Sequence, residues 1–253
     1  KRQMIANYGV GVNHIDLSAA ASHGITVSNT PGVLTDATAD LTLTLMLMLC
    51  RRAGEGEREL RAGEWSGWRP THLVGRQMTG KTLGIIGMGR IGRAVAHRAH
   101  FGFGMEIVFQ NRSPVDDGAG VGGRQLASVA EVCAASDFVS LHCAATPETR
   151  HILGREALAA MSPSAYVINT ARGDVVDEDA LVAALESGAI GGVGLDVFQG
   201  EPKVNPAIMA APNTVLLPHL GSATEETRVA MGMKVVENAR AFAMGEVLPD
   251  KVG

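Results

Sequence analysis

The chain has 253 residues, of which 46% are hydrophobic and 19% are charged, so it can bury a large core and is not intrinsically disordered. Its net charge of −4 argues against a general nucleic-acid-binding protein, which usually has a basic balance. The three cysteines, Cys50, Cys133 and Cys143, lack metal-ligand spacing, so we predict no metal site and reduced thiols in a cytoplasm. The most apolar run, 41–50, is shorter than the about 20 residues that span a bilayer, which predicts no membrane partner.

The predicted elements alternate between strands and helices along the chain. We expect strands at 4–8, 25–28, 82–87, 105–109, 138–141, 165–168, 190–197 and 214–217. Helices are predicted at 16–22, 90–101 and 224–243, after the capping box at 128–131, and from Asp177 to about 188. Residues 36–60 fit both periods, but their length and poor strand formers favour a bridging helix.

This alternation predicts a parallel sheet with right-handed crossovers. Residues 80–222 therefore form a doubly wound α/β domain of six or so strands, the number expected for a dinucleotide-binding fold. The flanks hold too few residues for a typical second domain of about 100. We therefore expect a chain that begins inside its smaller domain, with strands near residues 5 and 26 that have an unpaired edge or one covered by a partner chain.

A glycine pattern lies between the strand at 82–87 and the following helix. Gly87, Gly89 and Gly92 form G-x-G-x-x-G in the strand–turn–helix context that dinucleotide binding requires. The first glycine allows the tight turn, the second lets the backbone approach a pyrophosphate, and the third lets helix and strand pack closely. The helix N-terminus then offers N–H groups to the phosphates. The alternative is a merely tight turn.

The end of the next strand indicates which dinucleotide binds. An NAD site usually has an acidic residue about 20 residues after the glycines, which bonds the ribose 2′-hydroxyl. This chain has Asn111, Arg112 and Ser113 there instead. Arg112 can pair with a 2′-phosphate, helped by its two neighbours, so we predict NADP(H) as the preferred cofactor and NAD(H) as the alternative.

Three polar residues follow three later strands. Arg172, Glu201 and His219 come after the strands that end near residues 168, 197 and 217. Ligands of open α/β sheets bind beyond the carboxyl ends of the strands, which puts this set on the cofactor's side. The set suits hydride transfer to a 2-oxo acid: the arginine binds the carboxylate, the histidine gives the proton, and the glutamate orients the imidazole.

These residues belong to motifs that extend over nearly the whole chain. In order they are 8–16, 29–35, 80–92, 146–149, 169–173, 194–198, 201–202 and 218–224. With them the chain resembles the D-isomer-specific 2-hydroxyacid dehydrogenase family, and segments 63–70, 98–103 and 111–113 are most similar to its glyoxylate/hydroxypyruvate reductases.

The resemblance implies a fold with two parts. The fold class is α/β, with a doubly wound parallel sheet as the Rossmann coenzyme domain and a second, flavodoxin-like substrate domain present only in part. Residues 1–36 are then the partial substrate domain, whose N-terminal portion is missing. Residues 37–222 are the dinucleotide-binding domain with its leading bridging helix, and 223–253 are a C-terminal helix that returns to the substrate domain.

The resemblance also implies roles for individual residues. Arg172 binds substrate, His219 is the acid/base, Glu201 is its partner, and the N–H groups of Val10 and Gly11 hold the substrate carboxylate. The implied cofactor-binding residues are Thr38, Gly87, Gly89, Arg90, Ile91, Gly92, Asn111, Arg112, Ser113, Cys143, Thr149, Thr170, Ala171, Arg172, Asp196, His219, Gly221 and Ser222. A homodimer through the coenzyme domains is implied as well, with Trp68 either reaching the partner's active site or simply packing at the interface.

The predicted function is therefore hydride transfer between NAD(P)H and a small 2-oxo acid, glyoxylate or hydroxypyruvate, in a cytoplasmic enzyme. Two alternatives stay open. One is another D-2-hydroxyacid or phosphoglycerate dehydrogenase. The other is a dinucleotide-sensing, corepressor-like binding protein, because such proteins keep the same arginine, glutamate and histidine.

Overall fold

The structure is a computed structural model that describes residues 3–115 and 120–252. The chain folds into two compact units. The smaller unit contains residues 1–37 and 222–253, and the larger one contains residues 38–221. No helix of the described residues combines the length and the apolar character needed to cross a bilayer.

The larger unit is built on a parallel sheet of seven strands. They are β3 (Thr82–Ile86), β4 (Glu106–Gln110), β5 (Arg124–Gln125), β6 (Phe138–Leu141), β7 (Tyr166–Asn169), β8 (Gly192–Leu195) and β9 (Thr214–Leu216). Their spatial order is β5-β4-β3-β6-β7-β8-β9, and every neighbouring pair is parallel. The order reverses on either side of β3, as in a doubly wound fold, so the predicted fold class is confirmed.

Helices connect these strands and cover the sheet. They are α2 (Thr35–Cys50), α3 (Ala53–Ala62), α4 (Arg90–Phe103), α5 (Val129–Ala135), α6 (Arg155–Ala159), α7 (Glu178–Glu186) and α8 (Pro206–Ala210). Side chains of β3 alternate between two cores, because Leu83 and Ile85 belong to the cluster that contains α2 and α4, and Ile86 belongs to the other. With both faces covered, β6, β7 and β8 are buried along their whole length.

The smaller unit contains a three-stranded sheet and two helices. Its elements are β1 (Gln3–Ala6), α1 (Leu17–Ser22), β2 (Ile25–Ser28), α9 (Glu225–Met244) and β10 (Lys251–Val252). The sheet order is β1-β2-β10, with β1 parallel and β10 antiparallel to β2. Among the described residues β1 therefore has one neighbour, as expected, whereas the prediction of an unpaired edge for the strand near residue 26 is wrong.

The bridging helix differs from the prediction because it is two helices. The helix α2 ends at Cys50, whose carbonyl accepts a hydrogen bond from the N–H of Arg76 at 2.7 Å. Arg52 then has a φ of 50°, in the left-handed region that continues no helix, and α3 begins at the next residue. The strand predicted at 190–197 is also shorter, so Asp196 lies just beyond β8 rather than inside it.

Candidate active site

The glycine motif forms a tight turn between β3 and α4. Gly87 has a φ of 98°, and a Cβ there would lie 2.7 Å from the amide nitrogen of Cys143. A Cβ on Gly92 would lie 2.3 Å from the carbonyl oxygen of Gly87. Around the corresponding Cβ position of Gly89, apart from its two chain neighbours, no heavy atom of the described residues lies within 4 Å. Two glycines therefore serve close packing, while the third leaves open space at the α4 N-terminus, which fits a bound pyrophosphate.

The loop after β4 is tied both to this turn and to the sheet edge. Asn111 accepts a hydrogen bond from the N–H of Met88 at 3.2 Å and donates one to the carbonyl of Ser113 at 2.9 Å. From β5, Gln125 donates to the carbonyl of Asn111 and accepts from the N–H of Val115, both at 3.0 Å. The side chain of Arg112 is exposed on this braced loop. Sequence reasoning missed Gln125, because a two-residue exposed strand leaves no periodic pattern.

The segment after β7 is held by its own side chains. Asn169 donates to the carbonyl of Arg172 and accepts from the N–H of Ala171, both at 2.9 Å. Thr170 shares a buried hydrogen bond of 3.0 Å with Thr42 of α2. Burial lowers the pKa of the half-buried Arg172 guanidinium, and the charge of Glu201 opposes that shift. The charges of Arg172 and Glu201 therefore interact.

The residues after β8 and β9 meet in a histidine–carboxylate pair. The Nδ1 atom of His219 lies 2.7 Å from Oε2 of Glu201, whose Oε1 accepts from the N–H of Phe198 at 2.9 Å. Both side chains are partly exposed, 48% for His219 and 34% for Glu201. Because the carboxylate accepts at Nδ1, Nε2 is the ring nitrogen available to a ligand. The three residues predicted to cooperate are thus brought to one edge of one sheet.

A buried carboxylate shapes the turn that carries His219. Asp196 is 1% exposed, and its two oxygens accept from the N–H groups of Leu220 at 2.6 Å and Gly221 at 2.8 Å. Burial raises the pKa of Asp196, and these two N–H groups oppose the rise. His219 has a φ of 55°, and Thr38 donates to the carbonyl of Gly221 at 3.0 Å. Asp196 and Thr38 therefore organise this turn through their own hydrogen bonds.

The predicted residues after β6 lie against the glycine turn. Burial raises the pKa of the Cys143 thiol to about 11, so this thiol stays protonated near neutral pH. Its neighbour His142 is partly buried, lies 2.8 Å from the hydroxyl of Ser140, and has its pKa lowered to about 3 by burial. Thr149 donates to the carbonyl of Ala144 at 2.6 Å, which closes the loop. Arg90 and Ile91 are the first two residues of α4.

Three of the predicted site residues, Val10, Gly11 and Ser222, belong to the smaller unit. Val10 and Gly11 lie in a loop whose carbonyls are fixed by two asparagines that sequence reasoning missed. Asn7 donates to the carbonyl of Gly11 at 3.0 Å, and Asn29 donates to that of Val10 at 2.8 Å. Ser222 precedes α9 and is half-buried. Within residues 3–115 and 120–252, no group of three or more His, Cys, Asp or Glu could hold a metal ion.

Comparison with known proteins gives a consistent set of relatives. Residues 43–221 match the model of the family described as D-isomer specific 2-hydroxyacid dehydrogenase, NAD binding domain. A glyoxylate reductase from Thermococcus litoralis is 46% identical over 256 residues, which cover 100% of this chain and 77% of that protein. The match thus extends beyond the nucleotide-binding sheet into the smaller unit.

Solved structures show the same likeness. An NADPH-dependent glyoxylate/hydroxypyruvate reductase from Sinorhizobium meliloti, in complex with NADP and malonate, is 38% identical with a TM-score of 0.92, and the match covers 99% of this chain and 77% of that one. The D-mandelate dehydrogenase of Rhodotorula graminis is 32% identical with a TM-score of 0.89, over 99% and 75% of the two chains. Proteins with this fold therefore act on more than one acid.

Proposed function

Because this chain belongs to the D-isomer-specific 2-hydroxyacid dehydrogenase family, we propose that it reduces glyoxylate to the 2-hydroxy acid with a nicotinamide dinucleotide. The observation that carries the proposal is the contact of 2.7 Å between His219 and Glu201 beside Arg172, at the carboxyl edge of a sheet with an open glycine turn. The glyoxylate reductases among its relatives, at 42–46% identity, support the substrate. Hydroxypyruvate is the second proposed substrate, since a structural relative is named for both acids.

When bound, the coenzyme supplies the hydride. Residues of this chain bind the coenzyme and donate the proton. We assign the pyrophosphate to the N–H groups at the start of α4, beside the open space at Gly89. In the larger unit, Arg172 is proposed to bind the substrate carboxylate. In the smaller unit, the N–H groups of Val10 and Gly11 are proposed as donors to a carboxylate. The segments 1–37 and 222–253 are accordingly proposed as the substrate domain, and 38–221 as the coenzyme domain.

His219 acts as the general acid in this proposal. Its protonated ring donates from Nε2 to the carbonyl oxygen of the 2-oxo acid, which becomes the hydroxyl of the product. The carboxylate of Glu201 contacts Nδ1 and fixes the plane of the ring. Asp196 holds the turn that presents the ring, through the N–H groups of Leu220 and Gly221.

The preferred coenzyme is proposed to be NADPH. An exposed Arg112 follows β4, on a loop that Asn111 and Gln125 hold in place. A guanidinium can pair with the 2′-phosphate of NADPH, whereas NADH offers only a hydroxyl there. NADH is then the weaker coenzyme rather than an excluded one.

We also propose a homodimer formed through the larger unit. Four large hydrophobic side chains on α3 and the segment after it are exposed: Leu60 at 62%, Trp65 at 53%, Trp68 at 82% and Val74 at 63%. Contact with a second copy would remove this apolar surface from water. The cytoplasm is the proposed compartment, supported by three free cysteines.

The proposal is tested by initial rates with glyoxylate, hydroxypyruvate and pyruvate, each with NADPH and with NADH. We expect glyoxylate with NADPH to give the largest kcat/KM. Fluorescence titration of NADPH measures coenzyme binding independently of turnover. Tight NADPH binding with no reduction of any of the three acids, by a protein that is folded, would contradict the proposed reaction and favour a dinucleotide-sensing protein.

A further inference from the structure

A buried acidic residue begins the helix α7 behind the candidate active site. Glu178 is 7% exposed, although the first turn of a surface helix usually keeps its carboxylates in water. The preceding residue, Asp177, already caps the helix by accepting from the N–H of Ala180 at 3.1 Å. Glu178 is therefore not needed as the cap, and its burial calls for another partner.

That partner is the segment that carries Glu201. The Oε1 atom of Glu178 accepts a hydrogen bond of 2.8 Å from the N–H of Gln199. The side chain of Gln199 donates to the carbonyl of Val176 at 2.5 Å and lies 3.1 Å from Nε2 of His151. Both the backbone and the side chain of Gln199 are thus tied to the segment that leads into α7.

The same region contacts the segment that carries Arg172. A Cβ on Gly173 would lie 2.0 Å from the carbonyl carbon of Phe198 and 2.3 Å from the nitrogen of Gln199. The backbone after Arg172 and the Phe198–Gln199 peptide are therefore packed directly against each other. A change in the position of this peptide would therefore move the segment that carries Arg172 and the segment that carries Glu201.

From this peptide the chain of contacts leads to the imidazole. Phe198 donates its N–H to Oε1 of Glu201 at 2.9 Å, and Oε2 of Glu201 pairs with Nδ1 of His219 at 2.7 Å. Glu201 is partly exposed and has a long side chain, so its orientation depends on these two contacts. The direction of the Phe198 N–H depends in turn on the next peptide, which Glu178 holds.

We propose that Glu178 is a positioning residue for the His219–Glu201 pair. Its carboxylate fixes the Phe198–Gln199 peptide, and that peptide sets the direction of the preceding Phe198 N–H, which aims the Glu201 carboxylate at the imidazole. The inference rests on the proposed function only in treating His219 as the proton donor. The charged groups that interact with the imidazole are Glu201 and Asp196, and Arg172 interacts with Glu201. The Glu178 contacts act on the position of Glu201.

The test compares three variants of the whole protein. Glu178→Ala removes the acceptor, and Glu178→Gln keeps an acceptor oxygen without the charge. Asp179→Ala removes an exposed carboxylate from the next position of the same helix turn and is the matched control. The readouts are the pH profile of glyoxylate reduction, the Kd for NADPH, and the unfolding temperature.

For Glu178→Ala we expect kcat to fall about tenfold, the effect of one hydrogen bond to a charged group. The midpoint of the reduction profile should move to lower pH, because a misplaced Glu201 carboxylate contacts Nδ1 of His219 less well. The Kd for NADPH should stay within about twofold, since the hydrogen bond of Glu178 is with Gln199 and not with the glycine turn. Glu178→Gln should restore most of kcat, and Asp179→Ala should behave as wild type.

A lower unfolding temperature of Glu178→Ala with an unchanged pH profile would overturn the proposal. A pH profile that moves equally in Asp179→Ala would overturn it as well. If Glu178→Ala does not fold, Gln199→Ala loosens the same peptide and should move the profile in the same direction; an unmoved profile there overturns the proposal as well. NMR titration of the His219 ring needs no substrate. Its midpoint should move to lower pH in Glu178→Ala even if glyoxylate is not reduced. A failure of the proposed function can therefore be distinguished from a failure of the positioning role.

Discussion

Replacing Gly92 by alanine is expected to destabilise the larger unit through one defined contact. The added Cβ would lie 2.3 Å from the Gly87 carbonyl oxygen and 3.2 Å from Cγ2 of Ile85. Ordinary contact requires a shift of about 1 Å between α4 and β3, and forcing an atom into a packed site costs about 1–3 kcal/mol. Alanine otherwise favours a helix over glycine by about 1 kcal/mol, so a net loss of stability isolates the steric effect.

Two other glycines of the same region separate packing from binding. Gly102 lies in α4, and outside the backbone of its own helix no heavy atom of the described residues is within 4 Å of its Cβ position, so Gly102→Ala should raise stability by about 0.5–1 kcal/mol. Gly89 is equally open, and its extended φ of −80° suits alanine. Gly89→Ala should therefore fold normally, but its methyl group would occupy the space assigned to the pyrophosphate and weaken NADPH binding.

The assays are unfolding temperature without coenzyme and fluorescence titration with NADPH. We expect Gly92→Ala to melt lower than wild type, Gly102→Ala to melt higher, and Gly89→Ala to melt normally while binding NADPH at least about tenfold more weakly, a loss of about 1.4 kcal/mol. Wild-type stability in Gly92→Ala would refute the packing argument. Wild-type NADPH affinity in Gly89→Ala would refute the assignment of the phosphates to this turn.

Three further predictions concern charged and titrating residues. Arg112→Ala should weaken NADPH about 10- to 150-fold and spare NADH, and equal losses in the two titrations would contradict a 2′-phosphate contact. His219→Ala should lower kcat about 10²- to 10⁴-fold with little change in coenzyme Kd, whereas Glu201→Gln should move the reduction profile to lower pH; a static profile would argue against the pairing. Because burial lowers the pKa of His142 from 6.5 to about 3, the folded protein binds fewer protons and should lose stability, by at most about 5 kcal/mol, as pH falls through that range. Unfolding midpoints that fall equally in His142→Gln would contradict this cause.

Much of the fold could be predicted from the sequence because burial leaves a strong pattern. Strands such as β3 and β6 lie between two cores, so they read as short apolar runs with turns at their ends. The two-residue strands β5 and β10 leave no such signal. The break between α2 and α3 was missed because two arginines occupy the turn itself and Gly54 lies inside α3; Arg52 adopts a left-handed φ where Arg76 takes the last carbonyl of α2.

The candidate site divides in the same way. The residues Arg172, Glu201 and His219 follow directly from the rule that ligands bind beyond the strand ends. The residues that hold the site in place could not be predicted in this way. Gln125, Asn169 and Glu178 bond to backbone groups that only the folded chain brings near. The contact of Glu178 with Gln199 joins positions 21 residues apart, and no local pattern records it.

Because Nδ1 of His219 contacts Glu201, the two directions of the proposed reaction need molecules that differ in the proton on Nε2. A 2-oxo acid offers a lone pair at its carbonyl and needs a ring that carries a proton on Nε2, whereas a 2-hydroxy acid offers a proton and needs a bare Nε2. Since Nδ1 is committed to the carboxylate, no second nitrogen can take over either duty. Acid solutions thus enrich the molecules able to consume the oxo acid, alkaline solutions enrich those able to consume the hydroxy acid, and measurements at a single pH sample the two half-reactions unequally.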